Sequence, residues 1–408
     1  MPNELLKAIF EDHLYKNTLW LIISSVTVTG LGFFFWAINT RLFSSEQIGI
    51  ASTLLSSSGL LVALSLLGLD IAFMRYLPNL KEKNEMINSC FSVAGITAFI
   101  LGIIFVLNVH YFLPKLTFLR ENVLFGFLFV IFVIFDLFST LIGSVFIALG
   151  KSKFVFIRSL IFSLLKLVFP FVFVSLGGYG IFSSWMVSVI ISFVIILFFF
   201  GHKLNFQIHK NIIKKILKFS VINYISNFLS LAPGVILPLM ITHVLNPTIT
   251  AYFYIDWMIA SMLYIIPTAV SKSLLSDGSW SRNNFKNKVN KSIKFTYILL
   301  IPPVILTIAL SKSLLLLFGA EYSSNAFRLL QIFALSGLPL AINIIYVTIQ
   351  NVQHKIKAVL FTNFVIISST LTFSYIFLSH GVILVGFSWL FTQVIVGAFV
   401  TYKLIKNG

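Results

Sequence analysis

Long apolar stretches separated by short polar breaks run through the chain from residue 18 to residue 402. Crossing hydrocarbon takes a helix of about 20 apolar residues, and runs of that kind predict twelve spans. Their limits are 18–40, 47–70, 87–109, 123–148, 154–175, 180–200, 219–243, 249–271, 295–318, 327–350, 357–378 and 382–402. The period-2 alternation of barrel strands is absent, which excludes a transmembrane β-barrel. Helices are what remain, because they satisfy every backbone hydrogen bond inside their own segment. The prediction is an all-α polytopic membrane protein.

The spans repeat. Gly30-Leu31-Gly32 falls in the middle of the first, and Ala232-Pro233-Gly234 falls at the same place in the seventh, 202 positions later. Ile38 to Leu42 lines up with Met240 to Val244 at that offset, which pairs Arg41 with His243. Spans interrupted at matching positions of two halves point to a substrate path in a transporter. Gly30, Gly32, Pro233 and Gly234 are therefore the candidate hinges. Each half holds an even number of spans, so the repeat is parallel. The expected architecture is two pseudo-symmetric six-helix bundles, 1–200 and 219–408, around a central cavity. They would rock about a basic cytoplasmic connector at 201–218.

Composition agrees with a lipid solvent. The chain has 408 residues, of which 58% are hydrophobic and 10% charged, too apolar for a soluble domain. A net charge of +17 would ordinarily suggest nucleic acid, but its placement does not. Of 29 Lys and Arg, 23 fall on the side of the N-terminus and five on the other. Lys166 lies within a span. This bias puts both termini in the cytoplasm of a cell membrane, and the basic charge becomes a contact to anionic lipid headgroups. Leu5, Leu6, Ile9, Phe10 and Leu14 predict a short amphipathic helix on the inner leaflet, followed by a retained first span and not a cleaved signal. Cys90 is alone, so no disulfide framework or cysteine metal site is expected. Gly150-Lys151-Ser152 mimics the end of a phosphate-binding loop, but Val145 stands where its first glycine belongs, so no nucleotide is expected. The seven histidines lack metal-ligand spacing.

Three stretches resemble a known family. Thr40 to Gly49, then Leu67 to Leu77, look like the opening of polysaccharide-biosynthesis flippases, the Wzx-type exporters of lipid-linked oligosaccharides. Phe318-Gly319-Ala320-Glu321-Tyr322 is similar to the family's stretch near the ninth and tenth spans, and Lys16-Asn17-Thr18 also fits. The resemblance implies the multidrug/oligosaccharidyl-lipid/polysaccharide exporter superfamily with its MATE-like fold. The lipid-II branch of that group carries a more arginine-rich first span and extra helices. This chain has Arg41 alone near its first span, which argues against that branch.

Intramembrane charge marks the candidate site. Lys166 and Asp136 lie at similar depth in antiparallel spans five and four, either as a structural ion pair or as a cavity cation with its tuning carboxylate. Asp256 in span eight has no base near it in sequence. It is a candidate for a coupling proton or sodium ion, as is Asp136. Arg41, His243 and Arg75 are the other candidates for contact with an anionic headgroup, with interfacial anchoring as the plain alternative.

These features converge on a carrier, working as a monomer without a cofactor, that moves a lipid-linked glycan outward by alternating access. A cation-coupled multidrug antiporter on the same fold is the first rival, though it would favour an acidic, aromatic cavity. A membrane glycosyltransferase or polymerase would need paired acids on a large outer loop, and the outer loops here are short.

Overall fold

The computed structural model describes residues 13–201, 204–280 and 285–406. The N-terminal helix expected at residues 5–14 falls largely outside that range, as do His202, Lys203 and Arg282. Sixteen α-helices follow in order among the described residues: α1 (His13–Leu42), α2 (Ser45–Ser65), α3 (Leu69–Tyr76), α4 (Lys83–Phe112), α5 (Phe118–Glu121), α6 (Val123–Ala148), α7 (Ser152–Val172), α8 (Gly177–Phe198), α9 (Lys210–Val244), α10 (Pro247–Trp280), α11 (Phe285–Ala309), α12 (Ser311–Leu316), α13 (Ala320–Asn325), α14 (Phe327–Val352), α15 (Ile356–Phe377) and α16 (Val382–Lys406). Twelve are long and apolar enough to cross a membrane. The outward faces match a lipid solvent, since Ile22, Phe34, Phe127, Phe171, Ile305 and Phe361 are all more than half exposed. This is a multi-pass membrane protein.

The spans interrupted by glycine and proline in sequence are not broken in space. α1 runs through Gly30 and Gly32, and α9 runs through Pro233, Gly234 and Pro238. A glycine costs a helix about 1 kcal/mol, whereas a free backbone group in hydrocarbon costs several. The helix therefore continues.

Other boundaries move for local reasons. The second span stops at Ser65, not at residue 70, because Leu67 (φ 50°) and Gly68 (φ 75°) turn the backbone through the left-handed region before α3. The ninth stops at Ala309, not at residue 318. There the amide of Gln331 donates to the Ile308 carbonyl at 3.2 Å and to the Ser311 hydroxyl at 3.0 Å, filling acceptors at the helix end. The expected 110–122 loop holds a 3-10 turn at Pro114–Leu116 and α5, and Asn122 caps α6 through the Leu124 and Phe125 amides. Of the connector expected at 201–218, the part from Lys210 onward is helix, the start of α9, and α10 continues past the expected span end to Trp280. What is left of the connector is tethered to α4. The backbone amides of Asn205, Gln207 and His209 donate to Asn88 Oδ1, Ser92 Oγ and Ser89 Oγ at 3.2, 3.1 and 2.9 Å.

The chain divides into two compact units. One comprises residues up to Phe43 with Thr53–Phe228, and the other Ser44–Ser52 with Leu229–Gly408. Inside the first, α4 packs on α6, α6 on α8 and α7 on α8. The equivalent pairs one repeat later, α11 on α14, α14 on α16 and α15 on α16, pack inside the second. In the first unit α1 also lies along α7.

In the first unit, α8 is central because it can be approached closely. Gly180, Ser184, Ser188 and Ser192 recur every fourth residue and are buried, the small-residue stripe that lets membrane helices meet. The hydroxyls of Ser184 and Ser188 return to carbonyls one turn back, so neither is left unpaired by the packing.

Candidate functional site

The first unit contains a cavity of about 190 Å³ bounded by α1, α6, α7 and α8. Its polar wall is Asp136 and Ser139 from α6, Arg158 from α7 and Ser192 from α8, and its aromatic wall is Phe162 and Trp185. α7 supplies two of these because positions 158 and 162 are one turn apart on one helix face. Beside the cavity, Ser24 of α1 donates to Ser159 of α7 at 2.9 Å, joining those helices through a polar contact.

Arg158 reaches across α6. Its guanidinium lies over Gly143, where a methyl group would stand 3.5 Å from Nη2. Nη1 donates to the Ser139 carbonyl at 2.6 Å and to the Ser139 hydroxyl. The charge facing it is Asp136. Nε is buried and donates to no acceptor among the described residues. The Ser58 hydroxyl lies close to Asp136.

This corrects the expected partnership. Lys166 has no carboxylate beside it among the described residues. It is fully buried, its Nζ forms no hydrogen bond among those residues, and it lies over three aromatic rings. The ring centroids are 4.7 Å away for Phe162, 4.7 Å for Trp185 and 5.7 Å for Phe35. Gly32 is at its side, where a Cβ would sit 3.7 Å from Nζ. Matching Asp136 to Lys166 by depth leaves out which way each helix face points. It also leaves out reach, since an arginine side chain climbs about a helical turn. In the sequence Arg158 stands among the inward basic residues. Its position inside the predicted fifth span is the signal that it faces the bundle.

The remaining candidates do not join this cavity. Arg41 is exposed in the last turn of α1. Arg75 is exposed on α3, its guanidinium 5.5 Å from the Tyr76 ring. A methyl group added at Gly30 would meet nothing within 4 Å.

In the second unit, Asp256 is fully buried in α10, with no hydrogen bond to either carboxylate oxygen among the described residues. Its chain neighbour Trp257 packs against Phe253, Phe333 and Trp389. Gly234 gives that indole room, since a methyl group there would come within 3.3 Å of Nε1. His243 is exposed in the last turn of α9.

Two stretches of the family resemblance meet in the second unit. Ser45 Oγ donates to Glu321 at 3.0 Å, and Tyr252 donates to the same carboxylate oxygen. Four residues past Ser45, Gly49 lies so close to α10 that any Cβ would strike the Pro247 carbonyl. Both stretches stand out in the sequence but their contact does not, because 276 residues separate Ser45 from Glu321.

Comparison with known proteins follows the same line. Residues 14–274 match the family described as "Polysaccharide biosynthesis protein". No curated protein matches the chain. Among solved structures, that of the lipid II flippase MurJ in an inward closed conformation is similar at 17% identity and a TM-score of 0.76, covering 95% of this chain and 87% of its own. An inward-facing multidrug resistance MATE family transporter of the MOP superfamily is similar at 15% identity and a TM-score of 0.64, covering 96% and 95%. A MATE transporter from Vibrio cholerae is similar at 13% identity and a TM-score of 0.63, covering 97% and 96%. At these identities the likeness shows the fold, a MATE-like arrangement of transmembrane helices.

Proposed function

Because the chain belongs to the polysaccharide biosynthesis protein family, we propose that it moves lipid-linked oligosaccharide from the cytoplasmic to the outer leaflet for surface polysaccharide or glycoprotein assembly. The observation that carries the reading is a polar cavity holding an arginine and a carboxylate inside an apolar helical unit. A sugar-diphosphate headgroup carries many polar groups, each costing several kcal/mol if taken unpaired into hydrocarbon. A protein that lowers this barrier must offer it polar side chains within the membrane while the lipid tail stays in the bilayer. No bond need be made or broken, so the protein acts as a carrier and not as an enzyme.

In this conformation Lys166 is sealed behind Phe162 and Trp185, and Arg158 is the cation that lines the cavity. The exposed Arg41, Arg75 and His243 are our candidates for the headgroup phosphates. The excess of basic residues on the N-terminal side supports a cytoplasmic membrane location with both termini inside. We take the active form to be a monomer working by alternating access.

Asp256 favours ion coupling, since a buried carboxylate without a hydrogen bond is a natural site for a proton or sodium ion. The same feature suits the rival reading, a cation-coupled drug antiporter on this fold. Cargo separates the two. In cells depleted of the protein, lipid-linked glycan should accumulate out of reach of an impermeant oxidant applied from outside. Unchanged accessibility, with raised sensitivity to lipophilic cationic dyes, would favour the antiporter.

A further inference from the structure

The proposed cargo has two polar parts, a charged diphosphate and a run of sugars, and the cavity of the first unit discriminates between them. Its two ionisable lining groups are Asp136 and Arg158, whose formal charges cancel. The nearby cation Lys166 contributes no donor, because the rings of Phe162 and Trp185 both line the cavity and both cover Nζ. A diphosphate entering here would surrender its hydration for a site of no net charge and meet a carboxylate at close range, which is unfavourable. A sugar ring meets the opposite conditions. Its hydroxyls both donate and accept, so one can donate to Asp136 while another accepts from the guanidinium of Arg158, which lines the cavity. Its apolar C–H face needs an apolar wall, and Phe162 and Trp185 supply one. The size agrees. About 190 Å³ is enough to admit a sugar ring.

We propose that this cavity is a subsite for a single neutral sugar unit of the glycan, held by Asp136 and Arg158 against Phe162 and Trp185, and that the diphosphate is bound elsewhere. The inference rests on the flippase reading for its choice of ligand, and it deepens that reading by separating the glycan's recognition from the phosphate's.

The test uses the full chain in detergent and saturation-transfer NMR with lipid-free probes, namely glucose, galactose, N-acetylglucosamine and sodium pyrophosphate. The expected result is saturable transfer to the ring protons of at least one sugar, undiminished by pyrophosphate. Asp136→Asn and Arg158→Gln should each weaken it about tenfold, the loss of a charge-assisted hydrogen bond. Ser192→Val, which narrows the cavity and leaves both charges in place, should weaken it as well and guards against a folding artefact in the charge variants. Displacement of the sugar by pyrophosphate, binding that the three variants leave unchanged, or no transfer to any of the sugars would each overturn the subsite. Flipping of a lipid-linked glycan by the same preparation in vesicles is measured alongside. Flipping without sugar binding sinks the subsite and spares the flippase, whereas binding without flipping does the reverse.

Discussion

Asp136 shows how a charge within a span chooses its partner. Counting along the spans matches it to Lys166, yet it faces Arg158, because side-chain direction and reach decide contacts that depth alone cannot. A double-mutant cycle separates the pairs. Asp136→Asn with Arg158→Gln should show a coupling of about 1–3 kcal/mol in thermal or denaturant unfolding, while Asp136→Asn with Lys166→Met should be additive within about 0.5 kcal/mol. Asp70, outside the spans at the start of α3, gives a second prediction. Burial raises its carboxyl above the ordinary value of 3.8, against the lowering effect of backbone amides at Ile71 and at Asp70 itself. The folded protein therefore binds more protons here than the unfolded chain, and stability falls as pH rises from about 4 toward the folded-state value. Asp70→Asn should remove that fall and raise the unfolding midpoint at pH 7 relative to the parent chain. Of the site itself, the sequence made Asp136, Lys166 and Asp256 visible, because charge within an apolar run is conspicuous. It hid Arg158, which stands near a span end among other basic residues, and the aromatic cover of Lys166, which is assembled from three helices.

At the level of elements, the number of spans was legible because each is a long apolar run, and their ends were not. Span ends depend on single backbone events. The left-handed turn at Leu67 and Gly68 and the filling of the α11 terminus by Gln331 leave no trace in hydropathy. The helix interruptions read at Gly30 and Pro233 failed for the opposite reason, since hydrocarbon enforces helix where propensity argues against it. Gly49 is the glycine whose absence of a side chain matters most, because α2 approaches the Pro247 carbonyl there. Gly49→Ala should cost about 1–3 kcal/mol through overpacking against backbone, read as a lowered melting midpoint. Gly30→Ala, with nothing near its added methyl, should be neutral or slightly stabilising.

Across the whole molecule, the two units share a pattern of internal helix pairing, as expected of a duplicated six-span chain. They have diverged in chemistry. The first holds the Asp136–Arg158 cavity, and the second holds Asp256, with both oxygens free of hydrogen bonds among the described residues. This division suits a carrier in which one half recognises cargo and the other senses the driving ion. If Asp256 couples an ion, Asp256→Asn should abolish the pH or sodium dependence of transport while leaving insertion in the membrane intact. An unchanged dependence would remove Asp256 from the mechanism.

The most direct measurement is movement of a fluorescent polyprenyl-diphosphate oligosaccharide across proteoliposomes containing the protein, followed by quenching from the outer face. The flippase reading predicts that the chain accelerates movement over empty vesicles and that Arg158→Gln slows it about tenfold, the loss of one charge-assisted contact. Movement no faster than in empty vesicles, together with uptake of a lipophilic cationic dye, would contradict that reading and place the protein with drug antiporters.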